Sequence, residues 1–235
     1  MTSRVPAPPS RHRISAPAAT SPPRRETYRH GDLRRALLEA GVELARAGGP
    51  GAVVLREATR RAGVVPNAAY RHFASREALL DAVRAAALSA LAVAMEAELA
   101  RLRRGADAAA FARGGLRAVG TGYLKFAQAQ TGLFRTAFSV AEPVHESATG
   151  GQMPADPAMA GHSGRNPFQL LEAALDGLVE AGVLPAARRP GAEYLAWSAV
   201  HGMAMLLIDG PLRRLGKGQT AVLGQRLLDM VEQGL

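Results

Sequence analysis

The run Pro66-Asn67-Ala68-Ala69-Tyr70-Arg71-His72 places four compact residues ahead of a hydroxyl, a guanidinium and an imidazole. Those three polar groups bind phosphate oxygens or the edges of bases. Small residues at the leading end let a helix enter a major groove about 12 Å wide, where Asn67 can pair with adenine and Ala68 can touch a thymine methyl. Arg56 upstream and Arg76 downstream add two guanidinium groups. The chemistry expected is recognition, not catalysis. Absence of cysteine excludes thiolate metal ligands, a Cys nucleophile and disulfides. Gly48-Gly49-Pro50-Gly51 lacks the Lys-Ser/Thr of a phosphate-binding loop, and no G-x-S-x-G elbow occurs. His145 with Glu146, and Asp156 with His162, lack the helical i, i+4 spacing of a metal pair. No enzyme activity, metal or cofactor is expected.

Such a run reads DNA only when neighbouring helices hold it in place. Leu33, Leu37, Leu38, Val42 and Leu44 recur at near-helical spacing after Asp32, an N-cap residue type, and the pattern stops at Gly48. That predicts a first helix of about four turns. A second helix is expected over 55–62, ending at Gly63, and a third from Pro66 to about His72, since proline suits a helix's first turn. Two short helices joined through a glycine turn form a helix-turn-helix. Ser75 stands as N-cap, with Glu77 in the first turn, of a long helix running to about Arg104. Helical periodicity returns over 106–130, 132–140, 167–182, 192–209 and 219–233, and no run alternates as a strand. The fold class expected is all-α. Residues 141–165 are dense in Gly, Pro and small polar residues and are expected to form a mobile loop.

The 235 residues, 48% hydrophobic, supply a sizeable core. No stretch matches the roughly 18 uninterrupted apolar residues of a membrane span, and the start lacks the apolar region of a signal peptide. The expectation is a cytoplasmic protein with no membrane partner. The first 30 residues hold six Arg, one Glu and six Pro, which fits a disordered basic arm. Over residues 1–84, fifteen Arg face seven acids, so this front third carries +8 of the formal +9. A concentrated positive field attracts a polyanion such as nucleic acid. Nearly all the cations are Arg, with only Lys125 and Lys217 as lysines, which also fits a codon bias toward Arg and Ala.

The stretch 28–83, and most sharply GVVPNAAYRHFASREALL, resembles the DNA-binding domain of the TetR/AcrR family of transcriptional regulators. The resemblance implies a homodimer that binds a pseudo-palindromic double-stranded DNA operator, as a repressor more often than an activator, and responds to a small-molecule effector. It makes Tyr70 and His72 phosphate contacts, Arg76 a phosphate clamp, and Arg56 a contact to a base or the phosphates beside it. Pro66, Asn67, Ala68 and Arg71 complete the expected site. Arg60 and Arg61 extend the basic face, although charges on a helix are usually its solvated side, and Phe73 is assigned to the core. The chain departs from the family at Val54, where a Ser or Thr cap is common, and at Thr59, where Ala is preferred.

YLAWSAVHGMAMLLIDGPL, residues 194–212, resembles the Trp-His-Gly segment of one branch of the family's C-terminal domains, through Trp197, His201 and Gly202. Trp197 and His201, four apart, share a helix face. Gly202 and Ala204 permit a close helix approach, and the resemblance puts a four-helix dimer seam on the last two helices. Leu223, Leu227, Met230 and Val231 form the stripe of the final one. His201 reads first as a buried structural residue and second as an effector contact. Phe111, Tyr123, Phe126, Phe134 and Phe138 read first as core. Tyr123, Phe126, Phe134, Phe138, Trp197 and His201 are the expected effector pocket, with the 141–165 loop as a lid. The expected domains are an arm at 1–27, a DNA-binding unit at 28–76, and an effector-binding and dimerisation unit at 77–235. The alternative is an all-helical small-molecule-binding protein or enzyme without specific DNA binding; a sequence-blind DNA binder is a third reading.

Overall fold

The computed structural model describes Met1 and residues 30–103, 105, 107–139 and 156–235. Apart from Met1, the expected arm at 1–27 lies outside the described residues, as do Tyr28 and the part of the expected loop at 141–155, with His145 and Glu146. Nine α-helices and no strand occur among the described residues: the fold is all-α.

Helix α1 (His30–Gly48) is already under way two residues before Asp32, so Asp32 lies inside the helix and does not cap it. Its C-terminus closes through Gly49 N–H donating to the Ala45 carbonyl at 2.7 Å. Helix α2 (Leu55–Arg61) begins at Val54 without any side-chain cap. It ends in a Schellman turn: Val64 N–H reaches the Thr59 carbonyl at 3.0 Å and Gly63 N–H the Arg60 carbonyl at 3.3 Å. Gly63 sits at φ +67°, a left-handed conformation that needs glycine. Helix α3 (Pro66–Ala69) is one turn long, shorter than its expected run to His72. After Ala69 the chain turns to seat Phe73, 2% exposed, in the core, with the Arg34 guanidinium 4.9 Å from its ring centroid.

Ser75 caps α4 (Arg76–Leu99), its hydroxyl accepting from Ala78 N–H at 3.1 Å. The helix stops at Leu99, short of the expected Arg104, because beyond that point only Leu102 continues the apolar stripe. By length and composition α4 is apolar enough to cross a membrane; here it packs against α1, α5, α6 and α7. Asp107 caps α5 (Ala108–Ala129), α6 (Thr131–Ala137) follows, and an Asn166–Gln169 capping box opens α7 (Pro167–Glu180). Helices α8 (Ala192–Ile208) and α9 (Lys217–Gly234) complete the chain. A single apolar cluster runs from Leu37 on α1 through Leu91 and Met95 on α4 to Leu228 on α9.

Residues 156–165 are tied to α4. Ser89 Oγ donates to the Ala160 carbonyl at 2.6 Å, and the Glu96 carboxylate accepts from His162 N–H, Ser163 N–H and Ser163 Oγ at 2.8, 2.9 and 2.6 Å.

Candidate nucleic-acid interface and a buried cavity

Helix α2, the Schellman turn and α3 form the front of the molecule. Asn67, Tyr70 and Arg71 are exposed and Ala68 and His72 half-buried. Tyr70 is 57% exposed, although burying a phenol ring is ordinarily favourable. Its neighbours explain this: Ala69 and Phe73 fill the core from the same turn, at 0% and 2% exposure, and leave Tyr70 and Arg71 on the outside. Pro66 occupies the first position of α3. Arg56 is exposed in the first turn of α2, which packs on α3.

The other arginines here differ. Glu57 accepts from Arg60 Nε and Nη2 at 2.9 and 2.7 Å and from Arg61 Nε at 3.2 Å. Those hydrogen bonds, Arg60's first, hold its carboxyl down to about 2. Arg76 donates from Nε to the Val53 carbonyl at 2.8 Å and from Nη2 to the Pro50 carbonyl at 2.9 Å, so its guanidinium ties the start of α4 to the turn ahead of α2. Thr59, buried, sends its hydroxyl to the Arg56 carbonyl at 2.6 Å, which satisfies the group that distinguishes it from Ala.

A cavity of about 40 Å³ lies behind the front, with residues of α4, α5, α7, α8 and α9 in its wall. Tyr123, Phe138 and Trp197 line it, joined by Leu88, Met95 and Phe168. Phe126, Phe134 and His201 do not line it. Phe134, 0% exposed, is wedged with its ring edge-on to Tyr123 at 5.3 Å and stacked on His201 at 5.7 Å. Phe126 is buried in the core, and His201 reaches the cavity through Tyr123. Phe168 was not marked by local spacing; it enters from α7, where its ring stands edge-on to Trp197 at 5.7 Å.

Three polar groups form a chain beside these rings. Trp197 Nε1–H donates to the Tyr123 hydroxyl at 3.2 Å, and Tyr123 Oη lies 2.7 Å from His201 Nδ1. An indole nitrogen only donates, so Tyr123 accepts from Trp197 and shares one further hydrogen bond with His201 Nδ1, whose direction follows the imidazole tautomer. Burial pushes the Tyr123 phenol up and the His201 imidazole down, consistent with both groups being uncharged. At the cavity edge, Arg117 pairs with Asp229 and Glu232, and Arg113 Nη1 donates to Glu232 at 2.7 Å. Among the described residues no three His, Asp or Glu side chains are placed to share a metal ion.

Residues 37–83 match the sequence profile of bacterial regulatory proteins of the tetR family, and residues 116–231 match a tetracycline-repressor-like C-terminal domain. Among solved structures, a protein of unknown function from Rhodococcus sp. RHA1 superposes with a TM-score of 0.66 at 24% identity, covering 89% of this chain and 98% of that one. A TetR variant from Acinetobacter baumannii AYE, in complex with minocycline, superposes with a TM-score of 0.52 at 20% identity, covering 84% and 93%. No curated protein matches the sequence.

Proposed function

Because the chain belongs to the TetR family and is thereby a DNA-binding transcriptional regulator, we propose that it is a ligand-responsive repressor, acting in the cytoplasm as a homodimer on a pseudo-palindromic operator. In this reading residues 28–76 bind DNA and residues 77–235 bind the effector and dimerise. Asn67 and Ala68 read bases, Tyr70, Arg71 and His72 hold the backbone, and Arg56 adds a contact beside them. Arg76 positions α4 and α2 through the Val53 and Pro50 carbonyls, and its remaining N–H groups can face phosphate. The observation that carries the reading is the exposed Tyr70-Arg71 pair on a turn whose other residues are core.

Response to an effector is supported by α4, whose start is tied through Arg76 to the turn ahead of α2 and whose Leu88 and Met95 wall the cavity. A ligand that enlarges the cavity displaces this helix. A coupling of about 1–3 kcal/mol would lower operator affinity roughly 5- to 150-fold. The test is a fluorescence-anisotropy titration of the full chain against duplex from the region flanking its own gene, with a scrambled duplex as control. A preference of about 1,000-fold, lost in Tyr70→Ala/Arg71→Ala with the circular dichroism unchanged, is the expected result. Equal affinity for both duplexes would overturn specific reading.

A further inference from the structure

The cavity wall has few polar atoms, and nearly all are committed. A tyrosine hydroxyl has one proton and two lone pairs. Tyr123 takes one hydrogen from Trp197 and shares one hydrogen bond with His201, so a single hydrogen-bonding position remains. The Trp197 N–H is spent in the same chain. The nearest charge, Arg117, is already shared by Asp229 and Glu232, with Arg113 completing a balanced set of two cations and two anions. An anion entering here would meet two guanidinium groups already matched by two carboxylates. A cation would find aromatic faces, but every carboxylate at the edge is occupied by an arginine.

We propose that the effector is an uncharged, mainly apolar molecule carrying one hydroxyl group, which hydrogen-bonds to Tyr123 Oη. The inference rests on the cavity being the effector site. The space is about 40 Å³, so it must be widened to admit even one substituted ring. Phe138, half-buried just past the end of α6, is one of the less enclosed wall residues. Phe138 also lies 4.8 Å from His201 and 6.1 Å from Trp197, centroid to centroid, so its displacement disturbs the same rings that hold the polar chain.

Trp197 is the only tryptophan in the chain and lines the cavity, so its emission reports occupancy without any DNA present. Four probes of one shape separate the possibilities: 4-butylphenol, butylbenzene, 4-butylbenzoate and (4-butylphenyl)trimethylammonium. On the full chain the phenol is expected to bind tightest, with both ions at least about tenfold weaker. Tyr123→Phe should cost the phenol about tenfold, the size of one hydrogen bond, and leave butylbenzene unchanged. Ala196→Leu keeps every polar group while filling the space, and should abolish the emission change for all probes. Tighter binding of either ion, or a phenol affinity indifferent to Tyr123→Phe, overturns the assigned class. No emission change with any probe, or changes that survive Ala196→Leu, overturns the cavity as effector site. The operator titration is independent of this readout, so that failure is distinguishable from failure of DNA reading.

Discussion

Tyr123 links two rings: it accepts from the Trp197 indole and shares a hydrogen bond with His201 Nδ1, whose burial favours the neutral imidazole. Burial holds the folded imidazole below its ordinary value, near 6.5 in an unfolded chain. As pH falls, the unfolded chain therefore takes up this proton first. The contribution to stability is complete above about pH 6.5 and is lost as pH drops toward the folded value. His201→Asn keeps an acceptor near Nδ1 and removes the titration. Its melting temperature, followed by circular dichroism, should decline less than that of the unaltered chain between pH 7 and pH 5; parallel declines would show that His201 is not a source of the pH dependence. Half of this arrangement was legible in the sequence, since Trp197 and His201 share a helix face by spacing alone. The Tyr123 partner was not, because α5 and α8 meet only through tertiary packing.

Helix α6 is seated between the aromatic cluster and the front of the molecule. Phe134 packs on Tyr123 and His201, while Gly132, two residues earlier and on the other side of the helix, lies against the end of α1 so closely that a Cβ would stand 2.3 Å from the Ala45 oxygen and 2.5 Å from the Arg46 oxygen. Backbone atoms cannot yield as a side chain can. Gly132→Ala should therefore cost about 1–3 kcal/mol in urea unfolding. Gly177→Ala, in the middle of α7 with nothing within 4 Å of the added Cβ, should instead gain up to about 1 kcal/mol from helix propensity. Equal effects would show that α6 is not wedged. The existence of α6 was readable from its periodicity, and the starts of α4 and α7 were visible in Ser75 and in Pro167, the first residue of α7. Its seat on α1 was not readable, because a close approach of two backbones leaves only a glycine in the sequence. Asp32 misled for a related reason: a residue type suited to capping also occurs inside helices.

At the scale of the whole molecule, the outer faces of α8 and α9 stand open. Leu195, Leu206, Val222 and Met230 are 66%, 43%, 62% and 59% exposed, and nothing lies within 4 Å of the Cβ position of Gly202. A glycine on a face with large apolar residues suits a closely approaching helix, which in the proposed homodimer would come from a second copy across a two-fold axis. Sedimentation velocity should find a dimer, and Leu206→Glu should leave a folded monomer with weakened operator binding; a monomeric unaltered chain would sink the proposal. The front face has its own global consequence. Glu57 gives α2 a built-in counterion: three charged side chains, Glu57, Arg60 and Arg61, present a net charge of one. A phosphate approaching Arg60 or Arg61 displaces a carboxylate of the same helix, and added electrolyte weakens the old pair and the new one together. In the proposed DNA-binding mode, binding at this face should therefore be less sensitive to ionic strength than its arginine count implies, because α2 would exchange a carboxylate for a phosphate.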